Sequence, residues 1–385
     1  MRSPALFSVV ASLVGIVACT DTPSAPIGSQ GACRYGQTTL AAIYVPTCMR
    51  SYGLLSKAVA SSDSAYLDSV LVIRDSLARD TTSTAFWKSA ELTRATQSVV
   101  DFYARGLFDD SARFNRMLDH IRVTQEYLSG TLFWNGPEAW PKTTPYLAWS
   151  LYPNTGIFFQ PVNTVQSVAS LFPRATVTTD SLLNMGEQLY RYALWRKSAA
   201  LRFPVWEYEF TWSSGGVTVL APWVSSQAQG YAIILFTENY RRTGDELWLS
   251  RAYEVLNSYR VLWDEGGVML PDTSHGYWWE EFHPAVMIWN GAAQALLAVG
   301  ELWRATNDST VKRMFDRGVE AMKYYTPEFD TGYWTLYSRT QWYNTVAYHQ
   351  SCIRIMDALY TVSGDTWFDS VATRWRTYVP PPGVT

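Results

Sequence analysis

The residues best suited to chemistry lie together in one stretch, Gly276 to Pro284. It holds two adjacent carboxylates, Glu280 and Glu281, among large aromatic side chains, with His275 and His283 at its edges. The whole chain has four histidines, so two of them here is notable. Aromatic faces stack on the C–H faces of sugars, and carboxylates accept hydroxyl donors or protons. The stretch is a candidate carbohydrate site. The alternative is a packed aromatic loop with solvated glutamates.

The surrounding sequence places these residues on a loop that leads into a helix. Turn-forming residues, Leu270 to Ser274, come before the stretch, and a helical pattern begins near Ala285. Loops held by a rigid scaffold often carry catalytic residues.

The N-terminus has the pattern of an export signal. A cationic tip, Met1 to Pro4, precedes an apolar run that is too short to span a bilayer, so residues 1–18 are predicted to be a signal peptide. The run ends in Ile16-Val17-Ala18-Cys19, which resembles the lipobox of bacterial lipoproteins and implies a lipid on Cys19. An ordinary signal peptide with a chance cysteine is the alternative. Residues 19–31, rich in Ser, Pro, Thr and Gly, are expected to form a tether.

Export makes the expected location the bacterial cell envelope, with the membrane contacted through the lipid anchor alone. An oxidising compartment favours a disulfide between Cys33 and Cys48, the close pair that remains once Cys19 is lipidated. Cys352 lies in a helical pattern and is expected to be a buried free thiol.

The composition argues against nucleic acid and for an aromatic-rich structure. The formal net charge is −3, which gives no positive footprint for nucleic acid. Aromatic residues reach 15%, with 18 Trp and 24 Tyr. A long carbohydrate cleft would account for so many tryptophans, and a large aromatic helical core is the alternative.

Helical periodicity dominates the N-terminal half, residues 32–200. It predicts an early helix around Val70–Leu77, a pair over 93–108 and 111–128, a loop-rich passage over 133–161, and a pair over 162–172 and 179–196. A short β-hairpin is expected near 200–220, where aromatic residues alternate before Gly215-Gly216.

The C-terminal part, residues 201–385, repeats one pattern three times. Two helices joined by a Gly/Asn-Asp turn are predicted over 225–262, 285–325 and 345–378. Such αα-hairpins either stack as an open solenoid or close as an α/α toroid. We favour an all-α fold with an α/α toroid, incomplete or closed. Its long loops, Gly266–Pro284 and Pro327–Asn344, would gather at one end and carry the site.

Several segments of this part match a known family in order and rough spacing. They are Leu220 to Gly230, Trp279 to Phe282, Trp289 to Gly291, Tyr324, Asp330 to Gly332, Tyr337, Tyr348-His349 and Trp375 to Tyr378. They resemble the C-terminal α/α domain of the D-glucuronyl C5-epimerase family, over roughly Leu201 to Val379. The family inverts C5 of D-glucuronate within glycans such as heparosan-type polymers.

No cofactor is expected and no metal ligand is assigned, and the resemblance implies the roles of individual residues. The family's functional glutamate falls on Glu281 and two functional tyrosines fall on Tyr337 and Tyr348, whereas Phe282 stands where a third family tyrosine is found. The residues expected around the uronic-acid polysaccharide are Trp223, Gln227, Gln229, Trp279, Glu280, Phe282, His283, Asn290, Arg339 and His349.

These residue types suit inversion at a carbon next to a carboxylate. The reaction needs neutralisation of that carboxylate, a base on one face and an acid on the other. Glu281 is the expected base if burial raises its pKa, and Tyr348 the expected acid. Tyr337, Arg339 and His349 are the candidates to hold the uronate carboxylate. The alternative for each tyrosine is a buried hydroxyl bonded to backbone.

Other functions stay open at this point. A polysaccharide lyase begins with the same proton abstraction, and a glycoside hydrolase would need two carboxylates, for which Glu281 and Asp330 could serve. A glycan-binding lipoprotein without catalysis is a further alternative. A zinc site from His275, His283, Glu281 and His349 matches no compact ligand motif.

The lipid anchor gives a first testable prediction. We expect Cys19→Ala to move the protein from the membrane fraction to the soluble fraction, because one acylated cysteine is the predicted attachment. Fractionation followed by immunoblotting measures the change. A variant that stays with the membranes would show that the lipobox interpretation is wrong.

Overall fold

The structure is a computed structural model that describes residues 61–384 apart from short gaps. The gaps are 81, 109–110, 136–137, 143, 153–154, 170–176, 199–200, 215, 271–272 and 341. The predicted signal peptide, the tether, Cys19, Cys33 and Cys48 lie outside the described residues. The described residues form two compact units, which divide between Phe159 and Gln160.

The first unit combines three helices with a small sheet. The helices are α1 (Ser61–Arg79), α2 (Ser83–Ala104) and α3 (Ser111–Leu128), and consecutive helices pack on each other. The antiparallel sheet has the order β1 (Phe133–Asn135), β2 (Glu138–Trp140), β3 (Trp149–Tyr152) and β4 (Gly156–Phe159). The three helices agree with the sequence periodicity.

The sheet replaces the loop-rich passage that the sequence predicted over 133–161, so that prediction was wrong. The prolines suggested a loop, yet Pro141 and Pro145 lie between β2 and β3, where a missing N–H breaks no ladder bond. Strand β4 is buried along its whole length, which makes Ile157 and Phe159 part of the core of this unit.

The second unit begins with two helices and three short strand pairs. The helices are α4 (Pro161–Ala169) and α5 (Thr179–Arg191). Strand β5 (Leu194–Ser198) pairs with β6 (Leu201–Val205), β8 (Trp212–Ser214) with β9 (Val217–Val219), and β7 (Glu207–Tyr208) with β10 (Trp223–Val224). The hairpin expected near 200–220 is β8–β9, and the neighbouring pairs extend the strand content beyond it.

The three predicted helix pairs follow. They are α6 (Ser226–Thr243) with α7 (Glu246–Leu256), α8 (Trp289–Thr306) with α9 (Ser309–Tyr325), and α10 (Val346–Ser363) with α11 (Thr366–Trp375). The first helices lie side by side in the order α6, α8, α10, and each second helix packs on its own partner. The protein is therefore mostly helical with small sheets.

All three pairs turn in the same way. The first helix ends on a left-handed residue, Gly244, Asn307 or Gly364, with φ of 71°, 54° and 72°. The next residue is an aspartate whose side chain caps the second helix, as Asp308 does for Thr310 N at 2.6 Å. Glycine and asparagine tolerate positive φ, and aspartate is a strong N-cap, so the local sequence dictates the turn.

The two long loops converge at the starts of α6, α8 and α10. Trp278 stacks on Phe329 with ring centroids 5.7 Å apart. Trp289 N donates to Tyr337 O at 3.2 Å, so backbone also joins the loops. Helix α8 starts at Trp289, four residues after the predicted start, because Met287 has a φ of 45° that no right-handed helix accommodates.

Cys352 in the second unit is a free, buried thiol, as predicted, and burial raises the pKa of this thiol to about 12. No helix among the described residues has both the length and the apolarity to cross a bilayer.

The repeated turn gives a stability prediction. We expect Asp308→Ala to lower the free energy of unfolding by about 1–2 kcal/mol, because it removes the N-cap of α9 and the hydrogen bond from Tyr253 Oη. Asp316→Ala on the same helix is the matched control. It loses an exposed ion pair with Lys312 and should cost only about 0.5 kcal/mol or less. Urea unfolding measures both, and equal losses would contradict the capping argument.

Candidate functional site

The carboxylate of Glu281 is bound by the start of helix α6. Its Oε2 accepts a hydrogen bond from Ser225 Oγ at 2.8 Å and another from Gln227 N at 3.2 Å. Ser225 is also the N-cap of α6, since its Oγ accepts from Ala228 N. Helix N-termini carry partial positive charge, so the position favours an anion. Both hydrogen bonds end on Oε2, and Oε1 takes no part in them.

The start of helix α8 comes equally close to Glu281. A Cβ added to Gly291 would lie 2.5 Å from Glu281 Cβ and 2.6 Å from Oε2. Real Cβ atoms do not approach so closely, so this third residue of α8 has to be glycine for the side chain to lie across it. Glu281 is thus held between the N-termini of two neighbouring helices.

The surroundings make Glu281 a group that can exchange protons near neutral pH. The residue is partly exposed, but its carboxyl group is enclosed by protein. This desolvation raises its pKa to about 7, although the hydrogen bonds from Ser225 and Gln227 lower it. A carboxyl group with a pKa near 7 is a suitable general base at neutral pH. The rise in pKa expected from the sequence is confirmed.

Glu280 has a different task, and its assignment as a substrate-binding residue is corrected. It is fully buried, and its Oε1 accepts from Phe282 N at 3.0 Å and from Ile288 N at 3.2 Å. Its Oε2 accepts from Trp278 Nε1 at 2.9 Å. Desolvation raises its pKa to about 7 as well. With both oxygens bonded to its own loop, Glu280 holds the shape of that loop.

The predicted catalytic tyrosines lie together at the start of α10. Tyr348 is the third residue of α10, and its ring meets that of Tyr337 edge-on with centroids 5.4 Å apart. The Tyr337 backbone is bonded on both sides, to Trp289 N and to Trp342 O. Trp289, to which Tyr337 is bonded, opens the first turn of α8, and Gly291 of that turn lies against Glu281, so the tyrosine pair and the carboxyl meet at the same helix start.

An apolar wall completes the site beside Glu281. Phe282 is buried in a cluster with Val219, Val286 and Ile288. The ring of Trp223 meets Phe282 edge-on at 5.2 Å and is stacked on Tyr208 at 4.1 Å. Tyr337 packs against the same cluster. Phe282 is therefore a wall residue without a proton to give.

Two residues expected at the substrate are structural. Gln229 is fully buried, and its amide bonds the backbone of Pro204 and Trp206. Trp279 is 1% exposed and donates from Nε1 to Tyr259 O at 2.9 Å. Neither side chain has a polar group left for a sugar. Their assignment as substrate-binding residues is therefore corrected: both residues support the helix starts.

Two of the three residues proposed to hold a uronate carboxylate, Arg339 and His349, are bonded to other protein groups. Arg339 is exposed and forms a bidentate ion pair with Glu328, with its Nε 2.6 Å from Oε2 and its Nη2 2.9 Å from Oε1. His349 is buried between Thr335 Oγ1 at 2.8 Å and Trp375 O at 3.0 Å, and burial lowers its pKa. The His349 imidazole is neutral and forms a hydrogen bond at each ring nitrogen, and the Arg339 guanidinium is paired with Glu328. Neither residue therefore supplies the cation that was expected.

His283 and Asn290 stay at the loop face. His283 is half-buried, meets Trp263 edge-on at 5.0 Å, and has a pKa that desolvation lowers. Asn290, the second residue of α8, has a buried Oδ1 without a hydrogen-bond partner in the described part of the chain. An unsatisfied buried polar atom next to Gly291 is suited to a ligand hydroxyl.

The hydrolase and metal alternatives find no support in the geometry. Asp330 accepts hydrogen bonds from Gly332 N, Trp375 Nε1 and Tyr378 Oη, and it pairs with Arg374. Burial opposes its ionisation, but these bonds outweigh burial and lower its pKa. Asp330 therefore holds the last turn of α11 and the residues that follow it in place. The described residues contain no group of three or more side chains placed to bind a metal ion.

Sequence reasoning missed three residues of the site, namely Ser225, Tyr231 and Gly291. Tyr231 is buried on α6, and the side chain of Gln227, four residues earlier, hydrogen-bonds its hydroxyl. The i, i+4 spacing from Gln227 was the available signal, because such residues share a helix face.

The second unit is thus built largely from helical hairpins, with a buried glutamate carboxyl and two tyrosines at the helix starts. A family model described as "D-glucuronyl C5-epimerase C-terminus" matches residues 202–377. Residues 202–377, somewhat less than half of the chain, are therefore similar to that family.

The curated relatives are distant, and the match covers only part of each. An uncharacterized protein of Methanocaldococcus jannaschii is 24% identical over 182 residues, which cover 46% of this chain and 58% of the relative. D-glucuronyl C5-epimerase of Caenorhabditis elegans is 25% identical over 182 residues, 42% of this chain and 29% of that protein. This chain thus spans less than two thirds of either relative. A crystal structure of a sugar epimerase from a ruminal bacterium has a TM-score of 0.41 and 14% identity, with 76% of both chains covered.

The buried carboxyl group predicts a pH dependence of stability. The pKa of Glu281 is about 7 in the folded protein and near 4.3 in an unfolded chain, so the folded state binds more protons between these values. The contribution of Glu281 to the free energy of unfolding is fully present at pH values below its unfolded pKa, and it is lost as pH rises through about 7. We expect Glu281→Gln to weaken the fall in stability between pH 5 and pH 8.

Urea unfolding across that pH range measures the effect, with Glu320→Gln on α9, an exposed glutamate, as control. If Glu281→Gln keeps the full wild-type slope, the Glu281 carboxyl does not titrate as its burial requires.

Proposed function

We propose that the protein inverts C5 of a uronic acid within a polysaccharide, converting D-glucuronate to L-iduronate by proton removal and reprotonation. The observation that carries the proposal is the Glu281 carboxyl, with a pKa of about 7, at the start of α8, where the backbone of Tyr337 is also bonded and the ring of Tyr348 meets that of Tyr337. The family of residues 202–377 supports the same chemistry, since its relative in Caenorhabditis elegans is named a D-glucuronyl C5-epimerase.

In this proposal Glu281 removes the proton from C5. Its raised pKa makes it a stronger base than a solvated glutamate, and its Oε2 is fixed by Ser225 and Gln227 while Oε1 takes the proton. Tyr348 gives a proton to C5 from the other face. Inversion requires two groups of this kind, because one group would return the proton to the face it came from.

The substrate carboxylate needs positive potential, which the helix starts supply. Helices α6, α8 and α10 all begin at this loop cluster, as the contacts of Glu281, Tyr337 and Tyr348 show. Each N-terminus carries roughly half a positive charge. The three together stabilise the enolate-like state, and Tyr337 adds a hydroxyl donor. This replaces the role first expected for Arg339 and His349.

Two finer points belong to the same proposal. The helix pairs form part of an α/α toroid, which the side-by-side order of α6, α8 and α10 supports; an experimental structure with these helices in an open row would contradict it. The polymer is of the heparosan type and is met at the bacterial envelope, where a lipid on Cys19 holds the protein.

Isotope exchange tests the chemistry. We incubate the protein with a heparosan-type polymer in deuterated water and expect deuterium at C5 together with L-iduronate. Glu281→Gln and Tyr348→Phe should each lower the rate by about 10²–10⁴-fold, because each removes a positioned base or acid. Exchange should increase with pH through about 7, since the base must be ionised.

Matched controls separate chemistry from folding. Glu320→Gln and Tyr360→Phe change an exposed glutamate and an exposed tyrosine, the latter on the same helix as Tyr348, and should keep wild-type exchange. Exchange with a new ultraviolet-absorbing C4–C5 alkene would identify a lyase instead. Binding of uronate polymers without any exchange by the wild type would identify a glycan-binding protein.

A further inference from the structure

The second long loop contains a short antiparallel hairpin, and its register decides which side chain lies beside Tyr337. Leu336 and Tyr343 form an antiparallel bridge. The backbone N–H of Tyr337 donates to Trp342 O at 2.6 Å, so these two residues are the next pair along the hairpin. Side chains that are paired across antiparallel segments lie on the same face, with Cβ atoms about 4.5–5.5 Å apart. Trp342 is therefore the immediate cross-strand neighbour of Tyr337.

Trp342 differs from the other described tryptophans of the second unit in its exposure. Its side chain is 38% exposed, and among the described residues the other tryptophan exposed to this degree is Trp87 in the first unit. The Trp342 indole forms no hydrogen bond and no ring contact within the part of the chain that the structure describes. An aromatic ring and an N–H donor are thus open to solvent beside Tyr337.

The hairpin is fixed to the segment that leads into α8. Arg339, in the turn of the hairpin, donates from its backbone N–H to Met287 O at 3.1 Å. Tyr337 O accepts from the backbone N–H of Trp289 at 3.2 Å. Segments that become ordered only on binding lose affinity to that ordering, so a ring carried by a fixed backbone binds more tightly. The backbone of Trp342 is held in this way before any ligand arrives.

We propose that Trp342 is the stacking platform for the sugar unit next to the uronate in the site. The inference rests on the proposed function, in which the reacting unit lies within a polysaccharide and so has a neighbour on each side. The neighbour that leaves the site past Tyr337 meets the exposed indole. Its C–H face stacks on the ring, and the indole N–H donates to one of its hydroxyl oxygens.

Tyr343 provides a matched comparison, because it follows Trp342 directly and is exposed to a similar degree. Its side chain is 43% exposed, and its hydroxyl is hydrogen-bonded with that of Tyr333. Successive residues of an extended segment point to opposite faces. Tyr343 therefore shares the face of Leu336, whereas Trp342 shares that of Tyr337. Of these two neighbours, only Trp342 is expected to touch the sugar chain.

A binding experiment without turnover tests the platform. The whole chain carrying Glu281→Gln, which blocks the proposed conversion, is titrated with a heparosan-type octasaccharide in a calorimeter. We expect added Trp342→Ala to raise the dissociation constant about 5- to 20-fold, because a stacking contact is lost. Trp342→Phe keeps an aromatic face and should stay within about 3-fold of the parent. Tyr343→Ala should leave the constant unchanged.

Each other pattern of binding overturns the platform. An unchanged constant for Trp342→Ala shows that the indole does not touch the octasaccharide. Equal losses for Trp342→Ala and Tyr343→Ala place the effect in the fold of the hairpin, and a Trp342→Phe variant as weak as Trp342→Ala excludes stacking. If Trp342→Ala changes the circular dichroism spectrum, Trp342→Gln replaces it with the same expectations.

Failure of the proposed function gives a different result. Octasaccharide binding that depends on Trp342, together with no C5 exchange by the protein with Glu281 intact, overturns epimerisation and leaves the platform as part of a glycan-binding site. If the protein binds no heparosan-type octasaccharide, with or without Glu281→Gln, the proposed polymer and the platform for it are both wrong.

Discussion

The enclosure of the Glu281 carboxyl between two helix starts is the constraint on which the rest of the site depends. A carboxylate removed from water needs donors, and the first turn of α6 supplies two of them from Ser225 and Gln227. The second helix can come near only because Gly291 has no side chain. The same requirement acts further along α6, where a Cβ on Gly230 would be 3.3 Å from Ala298 Cβ. Small residues therefore allow α6 and α8 to pack closely, both beside the carboxyl at Gly291 and further along at Gly230.

Glu280 and Glu281 show how neighbouring residues of one type acquire opposite roles. Desolvation raises the pKa of each to about 7. The difference lies in the donors. Glu280 has three, and one of them is the backbone N–H of Ile288, the N-cap of α8, whose own side chain makes no cap hydrogen bond. Glu281 uses one oxygen for two donors. Glu280 thus stabilises the start of α8, and the Glu281 carboxyl lies beside that helix start.

The sequence predicted those features that depend on local chemistry. The helix pairs were foreseen because periodicity, a left-handed Gly or Asn and a capping Asp all act within a few residues, as at Asn307-Asp308. Glu281 was selected through the family resemblance, and its aromatic neighbours implied the burial that raises its pKa. Arg339, His349 and Asp330 could not be placed, because their partners, such as Glu328 and Trp375, are distant in sequence or give no pattern. Tyr231 lies within an apolar run and looked like a core residue. Only the contact of α6 with the Glu281 loop gives it a polar role.

The position of Phe282 shows why the phenols of this site come from other segments. Its ring is enclosed by Val219, Val286 and Ile288 under the edge of Trp223, so a hydroxyl there would enter an apolar cluster. Burial of an unpaired hydroxyl is unfavourable by about 1–3 kcal/mol. The Glu281 loop therefore contributes the carboxyl and the wall, while Tyr231, Tyr348 and Tyr337 come from two helices and the second loop. These groups meet only when α6, α8 and α10 are packed side by side. The proposed chemistry is therefore a property of the assembled helix pairs, because no single pair of the three holds both the proposed base, Glu281, and the proposed acid, Tyr348.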